Sequence, residues 1–174
     1  MRRRSLRRND MKKGFTLIEL LLSIAVVALL LLGINALLAT VLEAREKNQA
    51  ITTVETEGQY VMQLLTQTVR NATNVNTPAP SESSASLTLA LSDAALSPTV
   101  FDVANATLQI TEGATASAGL TSSRVSVSSF SVTNLSRAGT PGTVRIQMTI
   151  SFVNSSNRNE YAYSKIFTAS ASVR

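Results

Sequence analysis

A nearly unbroken apolar segment of 28 residues, from Phe15 to Leu42, constrains the fold of this chain most strongly. Because about 20 apolar residues span a bilayer as an α-helix, the segment predicts a membrane-spanning helix over residues 15–42. It is longer than the roughly 7–15 apolar residues of an ordinary secretory signal, and no cleavage site of small residues follows it. We therefore expect the helix to remain in the mature protein as a single-pass anchor. Its interruptions are Thr16, Glu19, Ser23, Gly33, Asn35 and Thr40.

The positive charge of the chain is concentrated ahead of this segment. The 174 residues carry a net charge of +5, yet residues 1–14 hold seven basic side chains and one acidic side chain, Asp10. The rest of the chain therefore has a net charge of −1, and direct nucleic-acid binding is not predicted. A basic N-terminus before an apolar helix is retained in the cytoplasm, so we expect the region after Leu42 to be extracytoplasmic.

Several kinds of chemistry are excluded because the chain has no cysteine and no histidine. Disulfides and thiolate metal sites need cysteine, and histidine is the commonest metal ligand and general base. The loop carboxylates Asp93, Asp102 and Glu112 lack the spacing of a calcium loop. Ser164 and Lys165 are neighbours on a predicted strand, so their side chains point to opposite faces. The sequence predicts neither an enzyme nor a bound cofactor or metal.

Glu19 is the one ionisable residue inside the apolar segment. A charged side chain within a bilayer costs about 3 kcal/mol unless it finds a partner. Near the end of the segment, its carboxylate fits either of two environments, the lipid headgroups or an ion pair. Phe15 lies four residues earlier on the same helix face. Cleavage between Gly14 and Phe15 would create a charged α-amine there, which could pair with Glu19 of the same chain or of a neighbour.

The residues from Lys12 to Leu21, KKGFTLIELL, resemble the cleavage and methylation motif of type IV prepilins and type II secretion pseudopilins. The resemblance covers about residues 11–42. It implies that a prepilin peptidase removes the leader, residues 1–14, by cutting between Gly14 and Phe15, and that Phe15 is then N-methylated. It implies further that Glu19 pairs with the N-terminal amine of an adjacent subunit during assembly. The implied partners are the peptidase/methyltransferase, other pilin-like subunits and an assembly platform in the inner membrane.

Two departures from the family pattern bear on the kind of subunit. Many pilins have a proline near the twenty-second residue of the mature chain, where this sequence has Ala36. The missing proline favours a minor pilin or minor pseudopilin over a major subunit. The leader is also long enough that both Met1 and Met11 fit as the start. The alternative function is a single-pass, membrane-anchored binding module that does not polymerise.

Beyond Leu42 the sequence becomes amphipathic. Apolar and small residues recur at spacings of three and four, which predicts that the helix continues over residues 43–76 with one buried face. We expect its last turn near Asn74, before Pro78 and Pro80. Gly58 lies in this stripe, where it either allows close approach of a sheet or loosens the helix. The stripe comprises Ile51, Val54, Gly58, Val61, Leu65, Thr68, Ala72 and Val75.

Residues 77–174 are predicted to form a β-rich head. Alternating apolar residues indicate strands, and a phase slip near Ser128 predicts a β-bulge. Residues 112–123 are interpreted as a loop, and the last three strands as an antiparallel meander. The predicted fold is α+β: a long N-terminal helix packed on a C-terminal antiparallel sheet, the ladle shape of pilin-like proteins. The predicted strands are Leu87–Leu91, Thr99–Val103, Thr107–Thr111, Val125–Val132, Val144–Phe152 and Tyr161–Val173.

Overall fold

The computed structural model describes residues 15–137, 142–155 and 158–174. The chain divides between Leu42 and Glu43 into two compact units. One long helix, α1 (Leu17–Asn71), is followed by β-strands that pair antiparallel, which confirms the predicted α+β fold. The strands are β1 (Ala72–Thr77), β2 (Ser83–Ser84), β3 (Leu87–Leu91), β4 (Thr99–Ala104), β5 (Thr107–Glu112), β6 (Ala118–Gly119), β7 (Val125–Asn134), β8 (Thr143–Phe152) and β9 (Ser164–Ser172).

The N-terminal part of α1 is apolar and exposed along its length. Its best 18-residue window has a mean hydropathy of 2.8 and no buried residue, so by length and composition it can cross a membrane. Polar side chains in this part bond to the helix backbone: Ser23 donates to the Leu20 carbonyl and Asn35 to the Leu31 carbonyl, each at 2.8 Å. Polar groups satisfied within the helix need no water, which suits a lipid environment.

The second half of α1 buries one face, as the periodicity predicts. Val54, Gly58, Val61 and Leu65 of the predicted stripe are buried. The buried face of the helix is Ala50, Val54, Gly58, Val61, Met62, Leu65 and Val69.

The end of the helix differs from the prediction. The helix ends at Asn71, and the segment predicted as its last turn, up to residue 76, lies in β1. Ala72 and Val75 are buried there, but they face the core from a strand that pairs with β3 through Ala72↔Leu91 and Val75↔Leu89. Threonine, valine and asparagine are poor helix formers, so pairing with β3 outweighs a further helical turn.

The head contains two sheets, whereas one was predicted. The first sheet has the order β1-β3-β4-β5-β6, and the second has the order β2-β7-β8-β9. Leu87, Leu89 and Phe101 of the first sheet are buried in the same core cluster as Ile146 and Met148 of the second. Periodicity shows which face of each strand is apolar, but strand order depends on contacts between distant segments.

The second sheet contains the predicted meander. Strand β7 pairs with β8, and β8 pairs with β9. The predicted bulge is confirmed, because the β7–β8 register shifts between Val127 and Ser129. The last strand begins later than predicted, at Ser164, because Tyr161 closes a short 3-10 turn (Asn159–Tyr161). Parts of the connections from β7 to β8 and from β8 to β9, residues 138–141 and 156–157, lie outside the described residues.

Gly58 allows the helix and the second sheet to approach closely. A Cβ atom built on Gly58 would lie 2.2 Å from Cζ of Phe167, whose ring covers this position from β9. Gly58 therefore allows close approach of the sheet, which is the first of the two roles that the sequence left open. At Gly33, by contrast, nothing lies within 4 Å of such a Cβ atom.

Candidate functional site

The candidate site is the start of α1. Phe15 lies two residues before the first helical residue and is 79% exposed. The Thr16 carbonyl accepts hydrogen bonds from the Glu19 N–H at 3.1 Å and the Leu20 N–H at 3.2 Å. Glu19 therefore lies in the first helical turn, where a carboxylate interacts favourably with the helix dipole. Gly14, the predicted last residue of the leader, lies outside the described residues.

The apolar segment around Glu19 contains no basic residue to pair with its carboxylate. No lysine or arginine occurs between Phe15 and Ala44. Among residues 15–137, 142–155 and 158–174, Glu19 forms no side-chain hydrogen bond or ion pair and is exposed. Within the described residues, the apolar segment therefore offers Glu19 no positive partner.

In the head, the charged residues that contact one another join the helix to the strands. Glu55 of α1 accepts hydrogen bonds from Lys165 Nζ at 2.7 Å and from Tyr163 Oη at 3.1 Å. Glu57 accepts from the Ser122 N–H at 2.9 Å, and also from the Ser122 hydroxyl. These contacts hold α1 to β9 and to the segment before β7.

The contacts among Glu55, Lys165 and Tyr163 shift the pKa values of all three side chains. The Lys165 ammonium, and secondly the Tyr163 hydroxyl, hold the pKa of Glu55 below its ordinary value. The hydrogen bond to Glu55 raises the pKa of Lys165. Desolvation, and secondly the bond to Glu55, raises the pKa of Tyr163. At neutral pH the three groups therefore form a charged pair capped by a neutral phenol.

Sequence reasoning missed the role of Lys165, although a signal was present. Phe167 and Ala171 of β9 are buried, and Lys165 is separated from each of them by an even number of positions. Because side chains alternate along a strand, Lys165 lies on the same inner face. Ser164 is exposed on the other face, as strand alternation predicts. A lysine on the inner face of a strand needs an acidic partner, and the partner is supplied by the helix 110 residues away.

The loop carboxylates do not come together. Asp93 accepts a hydrogen bond from the Ala95 N–H at 2.9 Å, which is a local turn. Asp102 and Glu112 were expected in loops, but they lie on β4 and β5, where they pair with Gln109 and Thr99. Within the described part of the chain, no group of three or more cysteine, histidine, aspartate or glutamate side chains could hold a metal ion.

A comparison with protein families finds a match in the N-terminal region of the chain. Residues 9–35 match the family model of the prokaryotic N-terminal methylation motif. The N-terminal region is prepilin-like. The matched range contains Gly14, Phe15 and Glu19, and together with the long apolar helix it supports a type IV prepilin-like protein. No curated protein and no solved structure is significantly similar to the chain.

The match with the motif covers only the N-terminal part of the chain. It ends at Asn35, before the second half of α1 and the two sheets. The family comparison therefore bears on membrane anchoring and on processing of the N-terminus. The head has to be interpreted from its own residues and contacts.

Proposed function

We propose that the chain is a structural subunit of a type IV pilus-like or pseudopilus filament, and a minor one. A prepilin peptidase removes residues 1–14, and Phe15 is then N-methylated. The observation that supports the proposal most directly is Glu19, an acid in an apolar helix that has no basic residue between Phe15 and Ala44. Such an acid is costly in lipid unless a cation reaches it.

Processing supplies the cation that Glu19 lacks. Cutting the bond between Gly14 and Phe15 forms an α-amine at Phe15, and a methylated amine still carries its positive charge at neutral pH. Glu19 of one subunit then pairs with this amine on an adjacent subunit. Apolar helices otherwise slide past one another, so a buried ion pair fixes their axial register, which is the best-attested use of buried polar groups.

The membrane arrangement follows from the same residues. The basic leader faces the cytoplasm, where the peptidase cleaves it, and residues 15–42 span the inner membrane. The head is extracytoplasmic. The partners are the peptidase/methyltransferase, other pilin-like subunits and an inner-membrane assembly platform. The subunit is structural and has no catalytic activity of its own.

The regularity of α1 supports a minor subunit. The helix runs unbroken from Leu17 to Asn71, past Ala36, where many pilins have a proline. A proline inside a helix removes a backbone hydrogen bond and kinks or breaks it, and this chain has no such break. We expect the protein to be a small fraction of sheared filaments, measured by quantitative mass spectrometry. A dominant fraction would show that it is a major subunit.

The role of Glu19 is tested with Glu19→Ala and a matched control, Glu43→Ala. Both glutamates are exposed residues of α1, but only Glu19 lies within the apolar segment. We expect Glu19→Ala to insert into the membrane normally and to lose incorporation into filaments. Glu43→Ala should assemble as the wild type does. Equal assembly of both variants would contradict the proposal and support the monomeric, membrane-anchored binding module.

Processing is tested separately by mass spectrometry of the N-terminus. The proposal predicts a mature chain that begins with N-methylated Phe15. A chain that keeps Met1 or Met11 in cells containing the peptidase would contradict it. Because this measurement does not depend on assembly, it separates a failure of processing from a failure of the Glu19 contact.

A further inference from the structure

Strand β9 is the one long, regular sheet edge in the described part of the head. The other edge of the second sheet, β2, has two residues, as does β6 at the edge of the first sheet. The remaining edge, β1, is interrupted by two register shifts. Strand β9 has nine residues that pair with β8 without a shift. Short or irregular edges prevent unwanted strand pairing, and β9 lacks both protections.

The backbone of β9 presents unpaired groups on its free side. The Val173 N–H donates to the Gly142 carbonyl at 2.7 Å, and the Phe152 N–H donates to the Tyr163 carbonyl at 2.9 Å. Bonded pairs alternate along an antiparallel ladder, so the odd-numbered residues of β9 bond to β8. The even-numbered residues direct their N–H and C=O groups away from β8, and no described residue bonds to them. These residues are Ser164, Ile166, Thr168, Ser170 and Ser172.

A basic groove runs beside the C-terminal half of β9. The groove has a volume of about 360 Å³ and is lined by Arg70 of α1, by Arg174 and by residues 170–173, with no acidic residue among them. Arg145 lies outside the groove, exposed on the outer face of β8, but it pairs in register with Ser170 and so places a third guanidinium beside this half of β9. Within the described residues, none of these three arginines forms an ion pair.

The other half of β9 carries an exposed apolar side chain. Ile166 is 58% exposed on a strand whose backbone is free on one side. We propose that β9 binds an extended, acidic segment of a partner protein as an additional strand of the second sheet. Main-chain hydrogen bonds to the even-numbered residues supply the affinity, as in other cases of strand addition. The three arginines attract the acidic side chains, and Ile166 packs against an apolar side chain of the same segment.

A second copy of this chain suits the edge less well. If two β9 strands paired antiparallel, each Ser170 region would face the Ser164 end of the other copy. Strand β9 contains no acidic residue, and its one charged side chain, Lys165, already pairs with Glu55 at 2.7 Å. The β9 strand of a second copy would therefore bring no acidic partner to the three arginines. Charge complementarity therefore favours an acidic segment of a different protein.

The strand-addition proposal is tested with the full chain in detergent and a seven-residue probe peptide of threonine and valine with aspartate at three positions. Ser170→Pro removes an N–H on the free side of β9 without removing a bond to β8, and proline is tolerated on edge strands. Ser170→Ala is the matched control because it keeps the N–H. We expect Ser170→Pro to weaken peptide binding about tenfold and Ser170→Ala to change it less than twofold. Equal binding by both variants, or no binding by the wild type at millimolar peptide, would overturn the proposal.

Changes in the peptide supply a test that leaves the protein unaltered. N-methylation of every peptide amide should abolish binding, because it removes the N–H donors from both edges of the added strand. Replacing the aspartates with lysines should also abolish binding. A separate test changes the protein: the double variant Arg70→Ala, Arg145→Ala should bind the original peptide more weakly, and its binding should depend less on salt. Undiminished binding of either altered peptide, or tighter binding of a DNA duplex than of the acidic peptide, would refute strand addition. Self-association lost in Ser170→Pro would instead identify a second copy as the occupant.

Discussion

At Gly58, the absence of a side chain determines how closely α1 approaches the second sheet. Three ring atoms of Phe167 lie within 2.7 Å of the position a Cβ atom would take. The Phe167 ring is 8% exposed, so it is held by its neighbours. Gly58 therefore determines how closely α1 packs against β9. Helix propensity alone does not reveal this role.

We predict that Gly58→Ala destabilises the head. Alanine improves helix propensity by about 1 kcal/mol, but displacing a packed ring costs about 1–3 kcal/mol. The free energy of unfolding of the full chain in detergent should therefore fall by about 1 kcal/mol in denaturant titrations. Gly33→Ala is the control, since a Cβ atom there has nothing within 4 Å. A Gly58→Ala variant as stable as the wild type would show that the Phe167 ring moves freely.

The contact between Glu55 and Lys165 makes the stability of the head depend on pH. Lys165 lowers the pKa of Glu55 below its ordinary value of 4.5. The contribution of Glu55 to the stability of the head is therefore present above pH 4.5 and is lost as the pH falls through the folded-state pKa. The pKa of Lys165 is raised above its ordinary value of 10.5 by Glu55, so its contribution is present below pH 10.5 and is lost as the pH rises through the folded-state pKa.

We predict that Glu55→Gln lowers the Tm by a constant, small amount between pH 5 and pH 10. The effect is small because both side chains are about one-third exposed and screened by solvent. The Tm difference from the wild type should shrink below about pH 4.5. Glu43→Gln, which alters an exposed acid of the same helix, should show no such pattern. A difference that persists unchanged in acid would mean that the ion pair contributes nothing measurable.

At the scale of elements, the bulge in β7 keeps one face of the strand apolar. Val127 pairs with Ile150 and Ser129 pairs with Thr149, so Ser128 is the extra residue. Val127 is buried before the bulge, and Phe130 is buried after it. Without an insertion of this kind, the apolar residues on the two sides of Ser128 would not share a face.

We predict opposite effects for two single-residue deletions in β7. Deleting Ser128 restores one-to-one pairing with β8 and keeps Phe130 and Val132 inward, so the head should stay folded by circular dichroism. Deleting Ser131 instead shifts Val132, which is fully buried, to the exposed face. The second deletion should cost about 2 kcal/mol or more from lost burial. Similar unfolding curves for both deletions would show that the register is not set by this face.

At the scale of the whole molecule, the two units have different surroundings. The described residues of the first unit are exposed and apolar, whereas the core cluster lies entirely between Val54 and Val173 of the second unit. Residues 15–42 of the first unit form no core of their own, so their apolar surface requires lipid or neighbouring helices to cover it. The second unit buries its apolar residues internally.

We predict that a fragment spanning Glu43–Arg174 folds without the apolar segment. All the buried core residues are retained in the fragment. Its Tm should lie within a few degrees of the head transition in the full chain, measured by circular dichroism without detergent. The fragment should also be monomeric in sedimentation experiments, because the proposed assembly contact at Glu19 has been removed. Aggregation or loss of the transition would show that the head depends on the apolar segment.

Local patterns in the sequence determined a large part of this structure. Hydropathy placed the apolar segment, periodicity placed the buried face of α1 and most strands, and a phase slip located the bulge near Ser128. The motif around Gly14, Phe15 and Glu19 predicted the family match. These features depend on residues a few positions apart, so they can be read along the chain.

Tertiary structure alone decided the rest. The end of α1 at Asn71 depends on pairing with β3, and the division into two sheets depends on which strands meet. The ring of Phe167 over Gly58 and the ion pair of Lys165 with Glu55 join residues about 110 positions apart. Alternation along β9 shows that Lys165 faces inward, but no local pattern identifies the partner in either contact, because the contacts form only when the complete core brings the distant segments together.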